Sequence, residues 1–303
     1  MARKTSFYYS FLVLPPEQRR AIIAVWDFCR AVDDAVDEEA VVAGAPTGRA
    51  AVAFWREELA RAFDGREPAT DVARRLQPLV AAFDLPRQAF EDVIDGVAMD
   101  LDTMRYETFD DLVSAFGQDT MTTRYASWSD VFDYCRRSAN PVGRLVLRIA
   151  GHRDEALDRS SDALCTALQL ANFWQDFGRD WRSGRLYVPR DVQASAGASE
   201  RELVNAPAGP LTRPWASALE QCVVVTQDQF AAGRAVCDGV GGRLRYELRL
   251  TWLGGQRILE RVDRARQELL TYRPTLGGGD VPVLLWRALR WQKLRCLTPE
   301  SSC

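Results

Sequence analysis

Histidine is almost absent from this chain of 303 residues, which contains one, His152. A Ser-His-Asp triad elsewhere in the chain, a zinc site made of several histidines and most histidine-based acid–base schemes are therefore excluded. His152 lies in the short segment Gly151-His152-Arg153-Asp154, which is typical of a surface turn, and we expect no catalytic role for it. The chemistry must then be carried by other residue types.

Paired cysteine motifs and long apolar runs are also lacking. The 7 cysteines are scattered, odd in number and without a Cys-x-x-Cys spacing, which favours reduced thiols and a cytosolic protein over a disulfide framework. No uncharged run approaches the ~18 residues that span a bilayer, and the apolar patch before Pro15 is too short for a usual signal sequence. We therefore expect a cytoplasmic protein.

Charge is nearly balanced, since 39 Lys and Arg oppose 42 Asp and Glu for a formal net charge of -3. This gives no general reason to expect nucleic-acid binding. Arginine-rich stretches at 243–249 and 287–295 are amphipathic enough to touch anionic lipid at the inner face of a membrane. A solvated helix face explains the same pattern, so peripheral membrane contact stays open beside it.

Helical periodicity dominates the rest of the chain, and sustained period-two alternation is nearly missing. The sequence therefore predicts an all-α fold, a single domain over 1–303, in which ~75% of the unfolded chain's surface could be buried. Predicted helices run at about 16–39, 50–63, 70–83, 86–101, 128–137, 141–150, 158–178, 214–237, 242–272 and 281–295. Residues 190–213, rich in glycine and proline, are predicted as a long surface loop.

One segment is repeated. Arg105-Tyr106 is echoed 19 residues later by Arg124-Tyr125, and an Asp-Thr-Met precedes each copy. A single echo cannot be a solenoid, which needs several stacked units. We interpret it as a duplicated or recombined segment near 102–131, with chance similarity as the alternative.

Two acidic clusters carry the candidate chemistry. In the first, Asp33 and Asp37 lie one helical turn apart, with Asp34 beside them. In the second, Asn172, Asp176 and Asp180 follow an i, i+4, i+8 row that advances only ~40° per step.

A solvated acidic face is the simplest explanation of such a row, but residues 163–174 before it are apolar nearly all round, which marks a buried helix. Carboxylates that continue a buried helix are costly when unpaired. Mg²⁺ removes that cost, because it takes carboxylate oxygens together with waters and substrate phosphates and needs no histidine. Two facing acidic rows bridged by Mg²⁺ to a diphosphate are therefore one interpretation, and structural acids are the other.

These residues also resemble a known family, the squalene/phytoene synthases, over essentially the whole chain. The resemblance is carried by Ser6-Phe7-Tyr8-Tyr9-Ser10-Phe11, Phe28-Cys29-Arg30-x-x-Asp33-Asp34-x-x-Asp37-Glu38 and Gln169-Leu170-x-Asn172-x-x-x-Asp176-x-x-x-Asp180. It implies an all-α isoprenoid-synthase fold around a central cavity. It also implies a Mg²⁺-dependent prenyltransferase that condenses prenyl diphosphates head to head.

The resemblance assigns roles by position. It implies that Mg²⁺ and diphosphate are held by Asp33, Asp37, Asn172, Asp176 and Asp180. Substrate contacts would come from Arg30, Gln169, Tyr187 and Arg273, and Tyr134 would act near the leaving group. For Arg30 the alternative is a structural salt bridge, and for Tyr134 and Tyr187 it is a place in the core.

Within the family the sequence looks divided. Up to about residue 112 it resembles presqualene diphosphate and phytoene synthases, and beyond it resembles hydroxysqualene synthases of the hopanoid pathway, by motifs such as Tyr134-Cys135-Arg136-Arg137-Ser138-Ala139-Asn140-Pro141. The resemblance therefore implies hydroxysqualene or squalene as the product, made from farnesyl or presqualene diphosphate. The alternatives are a presqualene diphosphate or phytoene synthase, and a catalytically inactive helical assembly factor.

Overall fold

The predicted all-α architecture is confirmed by the computed structural model, which describes residues 14–37, 45–110 and 123–291. For residues 36, 37, 49, 99–110 and 123 it describes the backbone alone. The first helices are α1 (Pro16–Asp37), α2 (Arg49–Phe63), α3 (Asp71–Ala82), α4 (Arg87–Asp110), α5 (Trp128–Ser138), α6 (Asn140–Ile149) and α7 (Glu155–Gln175). They are followed by α8 (Phe177–Arg182), α9 (Arg190–Ala196), α10 (Glu200–Asn205), α11 (Arg213–Ala232), α12 (Val236–Gly239), α13 (Gly242–Arg264) and α14 (Asp280–Leu289).

Helix α7 lies at the centre of the fold. Its start is fixed by Asp154, whose side chain accepts a hydrogen bond from the amide of Leu157 at 2.9 Å. It packs against α5, α6, α11, α12 and α13, and its second half is buried on most sides, as its apolar sequence predicts. Because α7 is enclosed by other helices, the side chains at its carboxyl end are held in defined positions.

The first four helices form a second group beside this centre. Phe28 of α1 packs edge-to-face on Trp55 of α2 and Phe90 of α4, with ring centroids 5.5 Å apart in both pairs. Helices α1 and α7 both pack against α6, and they make no extensive contact with each other in the described part of the chain. Helix α6 therefore connects the two helices that carry the acidic rows.

The predicted loop over 190–213 is wrong over residues 190–205, which contain α9 and α10. Ser199 and Glu202 form a reciprocal capping box that starts α10, and Gly197, with φ +73°, ends α9. Both helices bury an apolar side chain, Val192 and Leu203. The small residues between them serve as helix caps, so only residues 206–212 form the connection.

A short parallel pair joins distant parts of the chain. Strand β1 (Thr123–Arg124) pairs with β2 (Arg185–Leu186), and Arg124 lies opposite Leu186. In the part of the chain that the structure describes, no helix combines the length and the apolar character that crossing a bilayer requires.

Candidate active site

The first acidic row lies in the last turns of α1. Asp33 is exposed, and Asp34 is half-buried and accepts a hydrogen bond from Nε of Arg30 at 3.2 Å. Arg30 thus pairs with an acid of its own helix, one of the two partners that the sequence allows. Asp37 ends α1, and its side chain lies outside the described part of the chain.

Cys29 precedes Asp33 by one turn and is buried. Burial raises the pKa of its thiol to about 12, and the negative charge of Asp33 adds to that rise. A thiol with such a pKa stays protonated and is a poor nucleophile. Cys29 is therefore not a candidate nucleophile beside this row.

The second row continues across a break in the helix. The helix predicted over 158–178 ends at Gln175, and α8 begins at Phe177. Backbone bonds keep the register, since the amide of Asp176 donates to the carbonyl of Asn172 at 2.8 Å and that of Asp180 to Asp176 at 2.9 Å. Asn172 is exposed, Asp176 half-buried and Asp180 buried. The row leads from the surface into the protein.

The break coincides with a close backbone approach at Gly178. Its amide donates to the carbonyl of Leu269 at 3.1 Å, and a Cβ at this position would lie 2.0 Å from the carbonyl oxygen of Leu270. Only glycine permits this approach. Residues 266–274, called the crossing segment below, therefore run directly over the junction of α7 and α8. The helix predicted over 242–272 is wrong beyond Arg264, where α13 ends.

Side chains fasten the crossing segment to that junction. Gln175 donates from Nε2 to the carbonyl of Pro274 at 2.5 Å, and Arg182 donates from Nη1 to that of Leu270 at 2.9 Å. The guanidinium of Arg273 binds both carboxylate oxygens of Asp176, with Nη2 3.3 Å from Oδ2. Arg273, predicted as a remote substrate contact, thus meets the central acid of the second row.

A buried aromatic cluster gathers two more predicted residues. Tyr187, which follows β2, stacks on Phe173 of α7 with ring centroids 3.7 Å apart and an interplanar angle of 4°. Tyr125 lies 5.7 Å from Tyr187, and Tyr134 of α5 lies 5.9 Å from Phe173, measured between centroids. Tyr134 and Tyr187, predicted from separate motifs, are therefore neighbours. Gln169, half-buried, shares the Phe173 face of α7, one turn earlier.

The pairing of β1 with β2 explains how Tyr125 reaches this cluster. Opposed Arg124 and Leu186 are each followed by a tyrosine, so Tyr125 and Tyr187 come to the same place. Arg124 is held by Glu200 at 2.7 Å and by the carbonyl of Gly184 at 2.7 Å. The second copy of the repeated segment thus packs here, whereas the side chains of residues 105–110 lie outside the described part.

Four residues of this region were not predicted as site residues: Tyr125, Gln175, Gly178 and Arg182. In the sequence, Tyr125 is distinguished only by its place in the repeated segment. A glycine that interrupts an apolar helical pattern signals close packing, and Gly178 carried that signal. Gln175 and Arg182 bind backbone carbonyls that lie 99 and 88 positions further along the chain, which no local pattern reveals.

The donor chemistry of the acidic rows fits Mg²⁺ shared with a ligand. Asn172, Asp176 and Asp180 offer amide and carboxylate oxygens at one-turn intervals, and Asp33 offers another carboxylate. Among the described side chains, no three acidic, histidine or cysteine groups gather closely enough to hold a metal ion. Mg²⁺ commonly takes one or two carboxylates and completes its shell with waters and substrate phosphates. The residues therefore fit an open site and not a closed protein cage.

Comparison with known sequences gives one consistent result. A model of the squalene/phytoene synthase family matches residues 1–114 and 107–287. The presqualene diphosphate synthase of Zymomonas mobilis is 34% identical over 196 residues, which cover 65% of this chain and 60% of that protein. The phytoene synthase of Narcissus pseudonarcissus is 31% identical over 264 residues, 85% of this chain and 56% of that protein. The chain thus spans 56% to 60% of the length of these two relatives.

Two solved structures have folds similar to that of this chain. The squalene synthase HpnC from Alicyclobacillus acidocaldarius superposes with a TM-score of 0.70 at 36% identity, covering 86% of this chain and 89% of that chain. A dehydrosqualene synthase superposes with a TM-score of 0.78 at 20% identity, covering 95% and 92% of the two chains. At 20% identity, the similarity to the dehydrosqualene synthase shows a shared fold alone.

Proposed function

Because the chain belongs to the squalene/phytoene synthase family, we propose that it is a Mg²⁺-dependent head-to-head prenyltransferase. Its proposed substrates are farnesyl and presqualene diphosphate, and its proposed product is hydroxysqualene or squalene. One observation supports this most strongly: the Asn172, Asp176 and Asp180 row descends into the protein while Arg273 covers its central carboxylate. The guanidinium of Arg273 can leave Asp176 and bind phosphate oxygens instead, so carboxylates beside this cation suit a diphosphate ligand.

Arg273 and the acids have complementary parts in this proposal. A guanidinium binds a diphosphate in the same forked geometry in which it binds a carboxylate, so Arg273 can exchange Asp176 for the leaving group. Asp33, Asn172, Asp176 and Asp180, with Asp37, would hold Mg²⁺. Bound Mg²⁺ neutralises negative charge that develops on a departing diphosphate.

The aromatic cluster would serve the hydrocarbon part of the substrate. Its rings present apolar faces that exclude water, and an aromatic face attracts an allylic cation. Tyr134 and Tyr187 carry hydroxyl groups at their edges, and we propose that the Tyr134 hydroxyl hydrogen-bonds the leaving diphosphate. Gln169, on the same face of α7, would add a polar contact to the substrate.

The identity of the product is the most detailed part of the proposal. The 36% identity to a solved protein named squalene synthase supports hydroxysqualene or squalene. The relatives named presqualene diphosphate synthase and phytoene synthase support the alternatives, in which the reaction stops at presqualene diphosphate or joins C20 substrates. A cytoplasmic location is part of the proposal.

Mass spectrometry of products tests the proposal. Purified protein is incubated with Mg²⁺ and with farnesyl, presqualene or C20 diphosphate in parallel. We expect hydroxysqualene from presqualene diphosphate with Mg²⁺ alone, because water can capture the cation that remains when diphosphate leaves. Squalene would form only when a hydride donor such as a reduced nicotinamide is added, and phytoene from the C20 substrate would replace that branch. If no product forms and farnesyl diphosphate with Mg²⁺ leaves the melting temperature unchanged, the inactive assembly factor is the better explanation.

We also propose that residues near 102–131 contain a duplicated or recombined segment of which the second copy serves the site. The two matches to the family overlap at 107–114, and Arg124 and Tyr125 of the second copy pack beside the aromatic cluster. Deleting residues 105–121 joins Met104 to Thr122 and leaves one copy. We expect the shortened chain to fold with an equal or higher melting temperature and to keep its activity. Unfolding of the shortened chain would contradict the duplication.

A further inference from the structure

Helix α14 carries an apolar stripe on its outer surface. Val281, Leu285 and Leu289 follow one another at one-turn intervals, and Trp286 lies beside them. Their exposed fractions are 53% for Val281, 47% for Leu285, 74% for Leu289 and 53% for Trp286. Scattered apolar residues on a surface are ordinary, but a contiguous stripe of large ones marks an interaction surface.

The amino end of α14 is fixed so that this stripe faces outward. Asp280, the first residue of the helix, is buried and accepts two hydrogen bonds from Nη2 of Arg261, at 2.7 and 2.9 Å. Arg257 adds a third contact to the same carboxylate at 3.4 Å. The inner face of the helix is thereby tied to α13, and rotation of the stripe toward the core would break these bonds.

The carboxyl end of α14 is fixed by Trp291. Its indole N–H donates to Oδ1 of Asp238 at 2.9 Å, and its ring packs edge-to-face on Trp252 with centroids 5.2 Å apart. The guanidinium carbon of Arg234 lies 4.2 Å from the centre of the Trp291 ring. Anchored at both ends, α14 presents the stripe as a fixed feature of the folded protein.

Positive charge lies beside the stripe. A groove of about 480 Å³ between α13 and α14 is lined by Arg234, Arg287 and Arg290 together with Trp252, Trp286 and Trp291. In the sequence, residues 281–299 contain no Asp or Glu, and Lys293 and Arg295 follow Arg287 and Arg290. A surface that combines leucine, tryptophan and arginine is typical of a helix that lies in the headgroup layer of a bilayer.

We propose that α14 docks the protein on an anionic lipid surface. The stripe formed by Val281, Leu285, Trp286 and Leu289 enters the boundary between headgroups and acyl chains, and Arg287 and Arg290 bind lipid phosphates. The docking does not require catalysis. That it would deliver a water-insoluble product to a bilayer is a consequence that rests on the proposed function.

A second copy of the chain fits the stripe less well than a lipid surface. Ten residues of helix are about 15 Å long, too small a face for the ~1,200 Å² that a specific interface buries. A two-fold contact would also bring Arg287 and Arg290 of both copies together, where their charges repel. The same arginines are attracted to an anionic bilayer.

Vesicle co-sedimentation of the full chain tests the proposal. The lipids are phosphatidylcholine alone, and phosphatidylcholine with about one third phosphatidylglycerol. One variant, L285Q/L289Q, removes the apolar stripe, and a second, R287Q/R290Q, removes its charges. The matched control V204Q/V224Q changes two exposed valines on α10 and α11, with exposed fractions of 63% and 51%. All six substituted positions are exposed, so the variants should keep the melting temperature of the unmodified chain.

We expect the unmodified chain to sediment with the anionic vesicles and the control to match it. L285Q/L289Q should bind about tenfold more weakly, and R287Q/R290Q should lose most of the preference for anionic lipid. Turnover of a prenyl diphosphate in detergent-free solution should be the same in all four proteins, which separates this proposal from the proposed function. The docking proposal is overturned if the unmodified chain sediments with neither kind of vesicle, or if L285Q/L289Q binds as the unmodified chain does. It is also overturned if light scattering shows the unmodified chain as a dimer and L285Q/L289Q as a monomer.

Discussion

Arg273 holds the carboxylate of Asp176 although the two residues stand 97 positions apart in the sequence. The pair forms where the crossing segment runs over the junction of α7 and α8, so it joins the second acidic row to the chain beyond α13. A carboxylate covered by a guanidinium is available to a metal–diphosphate ligand only after exchange. A ligand that brings both phosphate oxygens and a metal ion can therefore replace the pair, because the phosphate binds Arg273 and the metal ion binds Asp176.

Replacing Arg273 by glutamine should separate the binding of substrate from the binding of metal. The variant R273Q loses the proposed phosphate ligand, so the KM for a prenyl diphosphate should rise about tenfold or more. Its Asp176 is no longer neutralised, so half-saturation by Mg²⁺ should occur at the same or a lower concentration. Initial rates over both concentrations give the two constants.

The matched control for that experiment is R264Q, an exposed arginine at the end of α13. It should leave both constants unchanged. Equal constants in R273Q and the unmodified enzyme would show that Arg273 is only a surface ion pair, which commonly contributes ~1 kcal/mol or less to stability.

Two helical glycines should respond to alanine in opposite directions. In G178A the new Cβ would meet the carbonyl oxygen of Leu270 at 2.0 Å, so the crossing segment must shift, and we expect the stability to fall by about 3 kcal/mol. In G254A, on α13, the nearest atom is Cδ1 of Leu276 at 3.6 Å, an ordinary contact. Alanine favours the helix there by roughly 0.5–1 kcal/mol. Chemical denaturation measures both, and a stabilised G178A would refute the close approach.

Removal of one hydroxyl group distinguishes catalysis from packing in the aromatic cluster. Tyr134→Phe keeps the ring beside Phe173 and Tyr187, so the stability should fall by no more than the ~1 kcal/mol of one hydrogen bond. If the hydroxyl hydrogen-bonds the leaving group, kcat should fall about tenfold to a hundredfold. Tyr187→Phe offers the comparison at the neighbouring ring. Unchanged turnover in Y134F would assign Tyr134 to the core alone.

Acid should weaken the attachment of α14 to α13 through Asp280. The backbone amide of Gly277 and the charges of Arg261 and Arg257 hold the pKa of this carboxyl below its usual range. Its contribution to stability is therefore complete above the ordinary pKa of about 4 and disappears as the pH falls through the lower folded value. The melting temperatures of the unmodified protein and of D280N should differ at pH 7 and converge in acid. A difference independent of pH would contradict this role.

Local pattern predicted the parts of the site that belong to one element. The apolar surroundings of residues 163–174 predicted a buried helix, and the spacing of Asn172, Asp176 and Asp180 predicted their common row. The same pattern could not show that α7 stops at Gln175, where the carbonyl of Leu270 comes close to Gly178 from a remote part of the chain. Contacts between remote segments, including Arg273 with Asp176, depend on tertiary structure and leave little trace in sequence.

The proposed function requires that the row of Asn172, Asp176 and Asp180 promotes loss of diphosphate with Mg²⁺. Diphosphate release from farnesyl or presqualene diphosphate is followed during a Mg²⁺ titration for the unmodified chain, for D176N and for E155Q, an exposed acid at the start of the same helix. We predict no release without Mg²⁺, a rate about 10²–10³-fold lower in D176N at saturating Mg²⁺, and an unchanged rate in E155Q. Release by D176N at the normal rate, or release that ignores Mg²⁺, would contradict the claim.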